Sequence, residues 1–174
     1  GVEAILPAGL AARGLKMAIG TLGDDGPVQP AGLGARDSLR LEAGMPLYGH
    51  EIDEDTDPLS AGLSFAVTLD KGRDGNDAEP FIGQDALLAI AESEPTRRLV
   101  GLHLEGPRSA RQGMEVYAGD EAIGVVTSGC ISPTLDRSIA MAYVRGDFSD
   151  ETLCVDLGRQ RIEARITELP FYAR

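Results

Sequence analysis

Two arginines four residues apart, Arg36 and Arg40, carry the clearest binding chemistry in this chain. They fall in a segment whose apolar spacing predicts a helix over residues 35–43, where side chains four apart share a face. Like charges at this spacing repel each other, and a cation in the first helical turn opposes the helix dipole. Arg36 is therefore predicted to face an anionic or polar group. The alternative interpretation is an ion pair, either with Asp37 or with a part of the protein outside this chain.

Small and polar residues beside these arginines could border the same site. Gly32 and Gly34 could let the backbone approach a ligand closely, although a tight turn is the simpler interpretation. Glu42 and Tyr48 could line a cleft or could only pack and pair locally, and neither is given a role.

A second polar segment lies in the last third of the chain. The runs Thr-Ser-Gly at 127–129 and Ser-Pro-Thr at 132–134 are predicted to form a loop. Its hydroxyls and backbone amides suit a small anion, and ordinary turn chemistry is the alternative interpretation.

Histidine and cysteine provide little support for a metal site or a nucleophile. His50 and His103 are the only histidines, and neither has a cysteine or second histidine at metal-ligand spacing. No catalytic triad is indicated. Cys130 and Cys154 do not form a disulfide framework, so a reducing compartment is expected, with Cys130 as a small buried filler.

The pattern of apolar residues predicts a mixed first part of the chain. Helical repeats alternate there with Gly-, Asp- and Pro-rich loops. The predicted elements are helices at 8–22, 35–43 and 83–93, a loop at 23–31, a solvated acidic loop at 51–57, a strand at 63–69 and a flexible excursion at 71–80.

After Pro95 the apolar residues alternate, which is typical of short strands. Six strands separated by Gly, Pro and Asp turns predict an antiparallel barrel or jelly roll, and an α+β class for the whole chain. The strands are placed around 100–104, 114–118, 121–127, 139–143, 152–157 and 162–166.

Charge supports a division at the same point. The net charge is −12, which argues against a nucleic-acid partner because phosphates would be repelled. Residues 1–96 carry 17 acidic and 6 basic side chains, whereas residues 97–174 carry 11 acidic and 10 basic ones. The sequence therefore predicts two regions, 1–96 and 97–174. No apolar run reaches the ~18 residues of a membrane span, so no membrane partner is expected.

Two long motifs resemble one known family. Residues 32–54 read GLGARDSLRLEAGMPLYGHEIDE and residues 126–144 read VTSGCISPTLDRSIAMAYV. Together with the ending Leu169-Pro170-Phe171, they resemble the C-terminal half of the glycine cleavage T-protein family of tetrahydrofolate-dependent aminomethyltransferases. The order of the two motifs and the gap between them fit that family as well.

The resemblance implies a fold and a site. Residues 1–96 would be part of a folate-binding α+β region and residues 97–174 a distorted β-barrel. The arginine of the family's GLGARD motif contacts folate, which assigns Arg36 to tetrahydrofolate, a cosubstrate that needs no metal. The opening Gly1-Val2-Glu3 resembles the end of the family pattern GEDGVE. The catalytic aspartate and the folate-contacting glutamate are therefore expected upstream of Gly1, with no catalytic residue in this chain, which alone should be inactive.

The resemblance also implies partners and a location. They are the missing N-terminal half of the same enzyme and the H-protein, a small carrier that delivers the aminomethyl group on a lipoyl arm. Because such carriers are acidic, arginines of the second region, with Arg108 and Arg111 as first candidates, are expected to steer it. Pairing of these arginines with the chain's own carboxylates is the alternative. Location would be the cytoplasm in a bacterium or the mitochondrial matrix in a eukaryote.

Two other functions stay open from the sequence. Folate domains of similar fold occur at the end of dimethylglycine and sarcosine dehydrogenases and in some demethylases. Those relatives tend to differ from this chain in the sequence of residues 41–49. A flavin-binding GxGxxG upstream would identify a dehydrogenase. A non-catalytic β-barrel interaction module is the third possibility, and folate binding by the complete protein would count against it.

Overall fold

The structure is a computed structural model that describes residues 4–20, 30–73, 75, 78–93, 95–148 and 152–173. The chain divides into two compact units, residues 1–36 and residues 37–174. This division falls within a helix and differs from the boundary near Pro95. The domain assignment of 1–96 and 97–174 stays a prediction.

Three α-helices confirm the predicted helical segments. They are α1 (Ala8–Gly20), α2 (Leu33–Glu42) and α3 (Gln84–Glu92). None of the described helices is long and apolar enough to cross a bilayer. The loop predicted at 23–31 lies largely outside the described residues, and so do three positions of the predicted excursion at 71–80, whose described residues form turns and bends.

The strand predicted at 63–69 is wrong. Residues Ser64–Ala66 form a short 3-10 helix, and the Phe65 side chain is 85% exposed. The apolar run suggested a strand, but a strand needs a neighbour to bond its backbone. The sheet of the described structure closes on itself and offers no free edge for a seventh strand.

Six antiparallel strands form the closed barrel, in agreement with the predicted class. Alternation of apolar residues lets each strand turn one face to the barrel interior and one face outward. The order around the barrel is β1-β4-β3-β2-β5-β6, and β6 pairs again with β1. The strands are β1 (Arg97–Leu104), β2 (Glu115–Ala118), β3 (Glu121–Ser132), β4 (Arg137–Arg145), β5 (Thr152–Asp156) and β6 (Arg161–Thr167).

Strand β4 is buried on both faces. One face lies in the barrel interior, and the other packs against segments that precede and follow the barrel in sequence. Its inward residues, such as Ala140 and Ala142, belong to the barrel interior. Its outward residues Ile139 and Met141 pack in a second apolar cluster with Leu41 of α2. Residues Leu99, Cys130, Leu135, Leu169 and Phe171 pack against this second cluster.

The loop predicted at 127–134 is also wrong in its first part. Residues 127–132 continue β3, and only the following residues turn into β4. A register shift between Val126 and Ser128 bends the strand there. Gly129 is required because a Cβ at this position would lie 2.4 Å from the Ala110 carbonyl oxygen. The glycine that suggested a turn is therefore a point of close backbone approach.

Candidate functional site

Glycines mark both ends of helix α2, with Gly32 before its first turn and Gly44 after its last. The Gly32 carbonyl accepts hydrogen bonds from the backbone N–H groups of Ala35 and Arg36. At the other end Gly44 has φ +63°, its N–H donates to Leu41 O, and Met45 N donates to Arg40 O. This pair of bonds is the Schellman arrangement, which needs a left-handed residue and explains the glycine of the Glu-Ala-Gly run.

Arg40 is the centre of a polar cluster within residues 37–174. Its Nη1 donates to Glu51 Oε2 at 2.8 Å and its Nη2 donates to Ser128 Oγ at 2.8 Å. Its Nε donates to Asp37 Oδ1 at 2.7 Å. The Arg40 side chain is only 9% exposed, so these charge-assisted bonds form largely away from water. Arg40 therefore fixes α2 to the following loop and to β3.

Glu51 is the buried counter-charge of Arg40. Its side chain is fully buried, and its Oε2 also accepts a hydrogen bond from Leu47 N at 2.9 Å. Its Oε1 has no hydrogen-bond partner among the described residues. Its backbone carbonyl accepts a bond from Tyr143 Oη at 2.8 Å. The prediction that the whole acidic segment 51–57 is solvated is therefore wrong for Glu51.

Glu42 makes a second attachment of α2 to the barrel. Its Oε1 accepts bonds from Ser132 Oγ and from Thr134 N, and its Oε2 accepts one from Thr134 Oγ1. Burial works to raise the pKa of Glu42, but the bonds from Ser132 and Thr134 outweigh it and hold that pKa below its ordinary value. Glu42 is thus an ionised structural anchor, which favours local pairing over the alternative that it lines a cleft.

His50 and Ser128 lie close together but are not arranged for nucleophilic catalysis. His50 Nδ1 lies 3.1 Å from Thr127 O and 3.3 Å from Ser128 Oγ. A carbonyl can only accept, so Nδ1 carries the hydrogen and cannot take the Ser128 proton. Ser128 Oγ instead accepts from Arg40. The pair holds the 44–52 loop against β3.

The phenol of Tyr143 and the thiol of Cys130 are two further titratable groups whose pKa values are shifted by burial. Burial raises the pKa of Tyr143 to about 12, partly offset by Arg97, whose guanidinium lies 4.5 Å from the ring centroid. Burial, followed by the charge of Asp37, raises the pKa of the Cys130 thiol. Cys130 is half-buried and packs against the Leu41 cluster, so it acts as a small packing residue with little thiolate.

Arg36, the predicted ligand residue, is placed differently from Arg40. It lies in the first turn of α2 and is exposed, and no ion pair to its side chain is found within the described ranges. The Asp37 carboxylate, proposed as its alternative partner, pairs with Arg40 at 2.7 Å. Tyr48 is 65% exposed. The assignment of folate to Arg36 stays a prediction.

Sequence reasoning missed Glu51 and Ser128 as members of the Arg40 cluster. Glu51 was hidden in a run of acidic residues, and Ser128 in a run that is typical of turns. The available signal was the unfavourable pair Arg36 and Arg40, which indicated that one arginine needs a carboxylate. In the part of the chain that the structure describes, no group of three or more His, Cys, Asp or Glu is placed to hold a metal ion.

Comparison with known protein families gives two matches that together cover most of the chain. Residues 97–173 match a family described as the glycine cleavage T-protein C-terminal barrel domain. Residues 1–71 match the GCVT N-terminal domain. The first match covers nearly the same residues as the closed barrel and the C-terminal segment packed on it.

Individual relatives give the same result. An aminomethyltransferase from Symbiobacterium thermophilum is 48% identical over 153 residues, which are 86% of this chain and 39% of that protein. One from Rubrobacter xylanophilus is 52% identical over 145 residues, 83% of this chain and 37% of that protein. The chain therefore spans about two-fifths of the length of these curated relatives.

A solved structure extends the likeness to three dimensions. It is the glycine cleavage system aminomethyltransferase T from Bartonella henselae, with a TM-score of 0.80 and 35% sequence identity. The match covers 96% of this chain and 45% of that one.

Proposed function

Because this chain belongs to the glycine cleavage T-protein family and corresponds to its C-terminal half, we propose that it is part of a tetrahydrofolate-dependent aminomethyltransferase. The observation that carries the proposal is the 48–52% identity to two aminomethyltransferases over about 150 residues. The dehydrogenase-like, demethylase and interaction-module alternatives are not favoured by these relatives.

The proposed reaction moves one carbon from the lipoyl carrier to folate. The bond between the aminomethyl carbon and the lipoyl sulfur breaks, and that carbon becomes the methylene bridge of methylenetetrahydrofolate. The amino group leaves as ammonia, and the sulfur leaves as the thiol of reduced lipoyl. The cosubstrate and the carrier supply the reacting atoms, so the protein contributes mainly orientation and electrostatics.

Within this reaction the chain's role is to bind and position. Arg36 would donate hydrogen bonds to folate, and its exposed position leaves the guanidinium free to do so. Arg40 and Glu42 support the helix that carries Arg36, since both are anchored on the barrel. The catalytic aspartate is assigned to a part of the enzyme that this chain does not contain, and the location in cytoplasm or mitochondrial matrix is part of the same proposal.

The proposal is tested with the full-length protein that carries this chain. Aminomethyl-loaded lipoyl carrier and tetrahydrofolate should yield ammonia and methylenetetrahydrofolate in equal amounts. The 174-residue chain alone should yield neither. Absence of both products with the full-length protein would refute the proposed reaction, and turnover by the chain alone would refute the assignment of catalysis to the other part.

A further inference from the structure

An apolar groove of about 1010 Å³ lies beside β1 within residues 37–174. The barrel contributes residues of β1 and of the end of β6, together with the segment 168–170 that follows β6. The loops at 43–46 and 61–65 contribute the other lining residues. The groove therefore lies between the barrel and two loops that precede it in sequence.

Charged groups are few in the lining of this groove. They are Arg98 and Glu168. The Arg98 guanidinium already donates a hydrogen bond to Phe148 O at 2.9 Å. A small polar ligand is usually oriented by several convergent polar groups, which this lining lacks. The groove is therefore better suited to apolar side chains than to a small charged molecule.

Large apolar side chains of the two loops are exposed at the groove. Phe65 is 85% exposed and Met45 is 60% exposed, and both belong to its lining. A single exposed apolar residue is ordinary, but exposed apolar residues beside an apolar groove indicate an interaction surface. Aromatic residues and methionine are enriched where one protein surface binds another. These two residues therefore favour a polypeptide as the partner.

The exposed large apolar side chains of residues 37–174 are concentrated before the barrel. Among the described residues, residues 37–71 carry four, which are Leu39, Met45, Tyr48 and Phe65. Residues 97–174 form a segment more than twice as long and carry three, which are Val125, Ile131 and Tyr172. The barrel therefore buries its own apolar residues more completely than the segment before it does.

The family matches indicate which polypeptide covers this surface. Residues 1–71, which include both loops, match the GCVT N-terminal domain, whereas residues 97–173 match the barrel domain. The chain spans about two-fifths of the length of its curated relatives, so the larger part of such an enzyme lies outside it. A domain has its own apolar core, and a segment seen without the rest of its domain exposes residues of that core. The partner that fits best is therefore another part of the same enzyme.

We propose that the part of the enzyme that precedes this chain packs on this groove, with its apolar side chains in contact with Met45 and Phe65. An acidic lipoyl carrier fits less well, because the lining is apolar and the carboxylate of Glu168 would repel it. A second copy of this chain is the other alternative, and the test separates it. The proposal rests on the proposed placement of this chain in a longer enzyme, but not on the transfer reaction.

The test is hydroxyl-radical footprinting of the full-length enzyme and of the 174-residue chain, with the labelled residues identified by mass spectrometry. Met45 and Phe65 should be labelled severalfold more slowly in the full-length enzyme. Ile131 of β3, which is 50% exposed, should be labelled at the same rate in both proteins. No turnover is required, so a failure of this proposal is distinguishable from a failure of the proposed reaction.

Phe65→Asp tests the same surface by stability. In the chain alone it should leave the unfolding midpoint unchanged, because Phe65 is largely exposed there. In the full-length enzyme it should lower the midpoint, because an unpaired carboxylate would be buried against apolar surface. Ile131→Asp is the control, and any shift that it causes should be the same in both proteins.

Three results would overturn the proposal. The first is labelling of Met45 and Phe65 at equal rates in the two proteins, which would mean that the groove stays open in the full-length enzyme. The second is labelling that slows in the chain alone as its concentration rises, which would assign the groove to a second copy. The third is an equal shift of the midpoint by Phe65→Asp in the two proteins.

Discussion

Arg40 and Glu51 form a buried ion pair, with 2.8 Å between Nη1 and Oε2 and with side chains 9% and 0% exposed. The two residues are eleven positions apart, one in α2 and one in the loop that follows it. Ser128 of β3 shares the same guanidinium. This pair therefore joins three separate segments, which gives the long family-like motif a structural reason that does not depend on ligand binding.

Arg40→Met should strongly destabilise the chain. It leaves the buried Glu51 carboxylate with Leu47 N–H as its remaining donor, and loss of one partner of a buried pair typically costs about 3–5 kcal/mol. Arg145→Met is the matched control, because its partners Glu121 and Asp147 are largely exposed and such pairs contribute about 0–1 kcal/mol. Denaturant unfolding measures both. Similar losses of unfolding free energy in the two variants would show that the buried Arg40–Glu51 pair stabilises the chain no more than an exposed pair does.

Glu42→Gln should reduce stability at pH 7 and remove part of its acid dependence. Because the folded pKa of Glu42 is lowered, its contribution is complete above the ordinary value of 4.5 and is lost as pH falls through the lower folded pKa. The stability difference between wild type and variant should be about 1.5–3 kcal/mol at pH 7 and shrink below about pH 4.5. Asp53 and Asp57 also have lowered pKa values. Both residues are present in the wild type and in the Glu42→Gln variant, so their contributions cancel in the stability difference. A difference that does not change with pH would contradict the assignment.

Gly129→Ala should destabilise the barrel because the added methyl group would meet the Ala110 carbonyl oxygen at 2.4 Å. Overpacking of this kind typically costs about 1–3 kcal/mol. Gly34→Ala is the control, since a Cβ there meets nothing within 4 Å and alanine is the better helix former. Thermal unfolding should give a lower midpoint than wild type for Gly129→Ala and a slightly higher midpoint for Gly34→Ala. An unchanged midpoint for Gly129→Ala would mean that the backbone adjusts without cost.

These residues show how far the sequence could be interpreted alone. The six strands were predictable because alternating apolar residues reflect the two faces of each strand, and helix α2 was predictable from its repeat and from Gly44. Gly129 could not be interpreted correctly, because its contact with Ala110 is made by a segment 19 residues away. The strand predicted at 63–69 failed for a similar reason, since closure of the barrel depends on all six strands together.

The candidate site was only partly predictable for the same physical reason. The cost of placing Arg36 and Arg40 on one helix was visible locally, but which arginine is compensated depends on Glu51 and Ser128. Ser128 lies 88 residues from Arg40 in sequence. Pairings at such separations are set by the fold, and neither spacing nor composition reports them.

Arg36→Ala in the full-length enzyme should weaken tetrahydrofolate binding more than Arg40→Ala does. Loss of one charge-assisted contact is typically about 1.5–3 kcal/mol, or roughly ten- to hundredfold in affinity. Arg36 is exposed, so its substitution should leave the unfolding free energy nearly unchanged, whereas Arg40→Ala should lower it. Titration calorimetry on folded variants measures the affinities. Equal or reversed losses of affinity would move the folate contact to Arg40.

Exposed arginines in the connection between β1 and β2 should help to steer an acidic lipoyl carrier. Arg108 and Arg111 are both exposed, and within the described residues no ion pair to either side chain is found, so the alternative that the chain's own carboxylates occupy them loses support. Long-range attraction acts mainly on the association rate and fades with salt, because the screening length is about 10 Å at 0.1 M.

Reversing Arg108 and Arg111 to glutamate in the full-length enzyme should therefore slow carrier association at low salt and have little effect at high salt. Stopped-flow measurement of the association rate over a salt series checks this. Arg159→Glu with Arg165→Glu is the control for charge alone, because both arginines are exposed, the one ion pair of Arg165 is long at 3.4 Å, and the net charge changes equally. If both double variants slow association equally, net charge is responsible. If the Arg108 and Arg111 variant leaves the low-salt rate unchanged, the carrier docks on another surface.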